Sequence, residues 1–75
     1  MKVLINTVEK VKDFVNATTK LSCDVDIVSG RHIIDAKSIM GVLSLDVSRP
    51  IEIEVHAHDE AEKNKADELL APFAV

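Results

Sequence analysis

The stretch Ile51-Glu52-Ile53-Glu54-Val55-His56-Ala57-His58 alternates apolar and polar residues over eight positions without a break. Side chains of a β-strand point to opposite faces at every step, so Ile51, Ile53, Val55 and Ala57 share one face and Glu52, Glu54, His56 and His58 the other. A strand written this way sits in a sheet that is covered on one side and wet on the other. Such a sheet needs a single layer of helices to close its core, which predicts a two-layer α+β sandwich.

The rest of the chain supplies the parts. Lys2-Val3-Leu4-Ile5 reads as a short strand. Val8, Val11, Val15 and Thr18 then recur at helical spacing, widened by Phe14 and Leu21, and predict a helix ending near Lys20-Leu21. Asn6 with Glu9 has capping-box spacing at its start. Asp24 to Val28 alternates, with Val25 and Ile27 inward. Ser29-Gly30 marks a turn and Arg31 to Ala36 a returning strand, on which His32 shares parity with Ile34 and Ala36 and is expected inward. Ser38 is a good N-cap for a short helix from Ile39 to Ser44, followed by a connection through Asp46-Val47-Ser48-Arg49-Pro50. After the alternating strand, Asp59 caps a last helix, with Glu62 at capping-box spacing. Ala66, Leu69, Leu70 and Phe73 form its inner side, and Pro72 limits its run. The order is β-α-β-β-α-β-α, without linker or repeat, and residues 1–75 are expected to form a single domain.

Composition narrows the function. The 75 residues carry a formal net charge of −4, which disfavours nucleic acid, since binding to phosphates needs a basic face. Two Phe and no Trp or Tyr leave few stacking platforms for single strands. No apolar run approaches the roughly 18 residues of a membrane-spanning helix, and no signal peptide is evident at the start. A single cysteine, Cys23, excludes an internal disulfide and suits a reducing cytoplasm. With Asp24 beside it and no cationic neighbour in sequence, Cys23 reads as a structural thiol. No cofactor is implied.

His56 and His58, two apart on one strand, can together chelate Zn²⁺ or Ni²⁺ with Glu54 or Asp59 assisting. A complete site wants three or four ligands. The pair therefore reads first as a solvated polar face, and no metal is expected.

The segment Lys37-Ser38-Ile39-Met40-Gly41-Val42-Leu43-Ser44-Leu45 resembles the short second helix of HPr, the small phosphocarrier of the bacterial sugar phosphotransferase system. The likeness of layout extends over most of the chain. It implies the HPr fold: an open-faced sandwich with a four-stranded antiparallel sheet in the order 1-4-2-3, covered on one face by three helices. It also implies that Ser38 is a regulatory phosphorylation site for an HPr kinase. Lys37, Ile39, Met40 and Leu43 would then form a docking surface for a protein partner, either a transcriptional regulator or a component of the phosphotransferase system. Five apolar residues between Ile39 and Leu45, in and just after so short a helix, are too many for one core stripe, which independently places some of them outside.

One family feature is missing. HPr carries a reactive histidine followed closely by an arginine at the start of its first helix. Counting back from Ser38 places Thr7 at the histidine position and Glu9 at the arginine position, and no His or Arg occurs in the first 30 residues. Phosphoryl transfer needs a nucleophile that titrates near neutrality and cationic donors for the phosphoryl oxygens. Thr7 lacks a base and is read as a helix-start residue; Glu9 would repel the incoming group. The pattern is similar to that of the catabolite-repression paralogues of HPr, which also lack the histidine and keep the serine. It departs from them at Glu9, where they keep the arginine, and from HPr at Asp46, where glycine is usual. The expectation is a regulatory protein that is not an enzyme. Two alternatives stay open: a phosphocarrier using an unusual residue, and an HPr-fold binding module with an unrelated task.

Overall fold

The computed structural model describes residues 1–75. Its elements are β1 (Lys2–Val3), α1 (Val8–Thr19), β2 (Asp24–Ser29), β3 (His32–Asp35), α2 (Ile39–Leu43), β4 (Ile51–His56) and α3 (Glu60–Leu70), closed by a 3₁₀ turn over Ala71–Phe73. The sheet is antiparallel in the order β1-β4-β2-β3. Ile53 of β4 lies opposite Ile27 of β2, and Val55 opposite Val25, so the inward sets of both central strands coincide. Glu52, Glu54 and His56 are exposed on the other face.

The core is aliphatic apart from Phe14. It joins Val3, Ile5, Val11, Val15, Leu21, Cys23, Val25, Ile27, Val42, Ile51, Ile53, Ala66 and Leu70 into one cluster between the sheet and the helices. Phe14 meets half-buried Phe73 edge to face, with ring centroids 5.6 Å apart, a favoured aromatic geometry.

Several local expectations are corrected. β1 stops at Val3 because the next N–H, that of Leu4, donates to the Phe73 carbonyl instead of to β4. The N-cap of α1 is Thr7 and not Asn6: Thr7 Oγ1 accepts from Lys10 N at 3.1 Å. Val8, read as part of the buried stripe, is 60% exposed, since it occupies the first turn beyond the core. His32 is exposed, because it stands opposite Ser29 beside the turn of the hairpin, beyond the cover of the helices. β4 ends at His56, the residue opposite Asp24, where β2 begins; further along there is no neighbouring strand to pair with. His58 therefore lies outside the strand. Asp59 does cap α3, accepting from Glu62 N at 2.8 Å, but the Glu62 carboxylate accepts from Ser22 Oγ at 3.1 Å instead of closing a reciprocal box.

Candidate functional site: the second helix and its supports

α2 is five residues long, too short to persist by hydrogen bonding alone. Its position is set by its surroundings. Ser38 is extended, with φ −98° and ψ 107°, and its Oγ accepts from Gly41 N at 3.2 Å. The cap satisfies one of the free donors at the helix start. Just upstream, Asp35 Oδ1 accepts from Lys37 N at 2.9 Å and the Asp35 carbonyl accepts from Ser38 N at 3.1 Å, so an Asx turn delivers the chain into the helix.

Three contacts fasten this turn to the body. The Ala36 N–H donates to the Val25 carbonyl at 2.9 Å. The Ala36 carbonyl accepts from Thr18 Oγ1 at 2.9 Å, with that hydroxyl also 3.0 Å from the Val15 carbonyl. Lys37 Nζ donates to the Leu21 carbonyl at 2.8 Å, at the end of α1. Lys37 is half-buried, and its ammonium is turned toward α1.

Of the apolar residues of α2, Val42 is fully buried. Sealing a side chain of that kind contributes about 1.5–3 kcal/mol relative to leaving it in water. Gly41 allows the close approach: a Cβ there would stand 3.0 Å from Ile34 Cγ2 and 3.3 Å from Ser38 Oγ. With Val42 inward, Ile39, Met40 and Leu43 remain in contact with water, at 36%, 76% and 47% exposed. Exposed Ser38 stands at the head of that apolar face.

The helix ends on Ser44, whose N–H donates to the Gly41 and Met40 carbonyls and whose Oγ donates to the Gly41 carbonyl at 2.6 Å. Asp46 Oδ1 then accepts from both the N–H and the hydroxyl of Ser48, at 3.1 and 2.6 Å. These bonds favour the ionised form and hold the Asp46 carboxyl below its ordinary value, with Arg49 adding a smaller attraction.

The other candidate residues are dispersed. Thr7 and Glu9 begin α1 and are exposed; the Thr7 hydroxyl is occupied with its capping bond. His56 Nε2 lies 2.9 Å from Asp26 Oδ2 on the open face of the sheet. His58 is beyond the strand, and no three His, Cys, Asp or Glu side chains are grouped to hold a metal ion. Cys23 is buried.

Sequence reasoning passed over Thr18, Asp35 and Ile34 as supports of this site. The Asp35 turn has a local signal, an Asp two residues before the N–H it accepts from. Thr18 and Ile34 reach their partners across the fold, and no spacing in the sequence announces those contacts.

The class defined by this geometry is an open-faced β-α-β-β-α-β-α sandwich that displays a serine-capped short helix at its surface. The chain belongs to the HPr family of the phosphotransferase system: the family described as the PTS HPr component phosphorylation site matches residues 9–74. Among solved structures, the chain is similar to HPr-C-His from Thermoanaerobacter tengcongensis, with 27% identity, a TM-score of 0.71, and coverage of 93% of this chain and 86% of that one. It is also similar to Crh, the catabolite-repression protein of Bacillus subtilis, described as a dimer with a swapped domain, with 26% identity, a TM-score of 0.69, and coverage of 95% and 80%. No curated protein matches the chain in sequence. No helix is long and apolar enough to cross a membrane.

Proposed function

We propose that this chain is a regulatory HPr-family protein that docks a protein partner through α2, under the control of phosphorylation at Ser38, and that it does not itself carry phosphate. The observation that carries the reading is the placement of exposed Ser38 at the head of a helix whose outer side is Ile39, Met40 and Leu43. A phosphoryl group on Ser38 adds nearly two negative charges at the positive end of the helix dipole, where they leave the helix intact and change the surface beside the apolar face. Lys37 contributes through its anchorage of the helix start more than through a free charge, because its ammonium is held by Leu21.

Similarity to Crh supports a catabolite-repression role, in which the partners are an HPr kinase and a transcriptional regulator or another component of the phosphotransferase system, in the cytoplasm. Thr7 and Glu9 stand where the family's histidine and arginine are expected, and neither offers a nucleophile or a phosphate-binding cation. Incubation with an HPr kinase and ATP, followed by mass spectrometry of the wild type and Ser38→Ala, tests the reading. Modification confined to Ser38 is expected. A protein that stays unmodified, or that is still modified in Ser38→Ala, removes the switch.

A further inference from the structure

The chain holds three sulfur atoms, in Met1, Cys23 and Met40. They differ sharply in access: Cys23 is 1% exposed, Met1 42% and Met40 76%. Met40 is the most exposed large apolar side chain of the molecule, and it lies beside Leu43 on the outer face of α2. We propose that Met40 is a redox-responsive modification site: a peroxide-class oxidant converts its thioether to the sulfoxide, and this closes the α2 face to partners. The inference rests on the reading of α2 as a docking surface.

The chemistry is self-contained. The thioether sulfur attacks one oxygen of hydrogen peroxide, an S–O bond forms as the O–O bond breaks, and the other oxygen leaves as water with the proton of the first. Sulfur loses two electrons and the peroxide gains them. A thiol-dependent methionine sulfoxide reductase reverses the step. The structure favours this outcome at Met40 over damage elsewhere. The Met40 side chain is outside the core cluster, and α2 is fastened through Val42, the Ser38 cap and Thr18, none of which involves the Met40 side chain. The Cys23 thiol is shielded by burial. Oxidation therefore leaves the fold in place and sets a polar, chiral S=O group on the exposed apolar surface of α2, where a partner must strip its water without supplying a replacement.

The test uses the full chain with hydrogen peroxide, and phosphorylation of Ser38 by an HPr kinase as the probe of docking at α2. Peptide mass spectrometry is expected to find sulfoxide at Met40 before any oxidation of Met1 or Cys23, with circular dichroism unchanged. The rate of Ser38 phosphorylation is expected to fall by roughly tenfold, the factor typical of an unpartnered polar group desolvated at a contact. Treatment with the reductase restores it. In Met40→Leu the ratio of rates before and after peroxide stays near one, whatever the starting rate of that variant. Earlier oxidation of Met1 or Cys23, or a rate indifferent to the Met40 sulfoxide, overturns the proposal while leaving Ser38 as a kinase site. Failure of the kinase to modify untreated protein overturns the docking reading and the switch together.

Discussion

The hydroxyl of Thr18, in the last turn of α1, lies 2.9 Å from the carbonyl oxygen of Ala36, at the entrance to α2. Both residues are completely buried, and the bond spans 18 positions of sequence. With the Lys37 bond to the Leu21 carbonyl, it fixes the entrance of α2 to the first helix. Thr18→Val keeps the shape and removes the donor, leaving the Ala36 carbonyl without that partner. We expect a loss of about 1–3 kcal/mol in urea unfolding, whereas Thr18→Ser, which retains the hydroxyl, recovers part of it.

Leu43 and Val42 are neighbours in sequence, one exposed and the other fully buried, so substitutions at them separate the proposed docking from folding. Leu43→Asp is expected to change stability by no more than about 0.5 kcal/mol, as at an ordinary surface position, while abolishing binding at α2. Val42→Asp places a carboxylate in the core and is expected to unfold the protein. Circular dichroism with urea titration reads both; a Leu43→Asp variant that unfolds would return that residue to the core.

Phosphoenolpyruvate and the general enzyme of the phosphotransferase system are expected to leave the protein unphosphorylated. No His occurs before His32, and His32 is on β3, far along the chain from the start of α1 where the family's nucleophile is expected. Stoichiometric acid-labile phosphohistidine in a gel-shift or mass measurement would contradict this.

Gly41→Ala is expected to yield none of the roughly 1 kcal/mol that replacing a helical glycine by alanine usually gains. The new methyl would sit 3.0 Å from Ile34 Cγ2 and 3.3 Å from the capping hydroxyl of Ser38, so either β3 or the cap must yield. A urea midpoint at or below that of the wild type is the expected result, and a clear rise would show that Ile34 moves aside freely.

Asp46 supplies a small pH dependence of known sign. Its carboxyl is held below the ordinary value, first by the Ser48 hydroxyl and then by the Ser48 N–H. A depressed folded-state value means that the stabilisation is present above the unfolded-state value and is lost as the pH falls through the folded-state one. Carbon-detected NMR titration is expected to find Asp46 protonating at lower pH than an ordinary aspartate. Ser48→Ala, which removes the hydroxyl and keeps the N–H, is expected to shift the titration toward the ordinary aspartate value.

The sheet and its order were legible because β4 alternates without interruption and because the segment from Lys37 to Leu45 carries a family likeness. What the sequence concealed lies in contacts between distant segments. Thr18 fits the spacing of an apolar stripe, and only the fold reveals that its hydroxyl serves the Ala36 carbonyl. Asn6 and Thr7 are both competent caps, and adjacent candidates cannot be ranked by spacing alone. His58 continues the alternation of β4 perfectly, yet a strand ends where its neighbour ends, and β2 begins at Asp24 opposite His56. The apolar surplus of α2 was visible by counting. The inward position of Val42 depends on packing that the count does not contain.

The pairing of Phe14 with Phe73 has a practical consequence for spectroscopy. With no Trp or Tyr, these two rings are the only side chains that give near-ultraviolet ellipticity, and they stand edge to face, 5.6 Å apart. That signal, and the phenyl ring-current displacement of nearby core methyl resonances, therefore originates at one junction, between α1 and the closing 3₁₀ turn. The molecule carries a built-in reporter of a single place. Events that loosen the end of the chain will register there, while a partner settling on α2 must be followed by other nuclei.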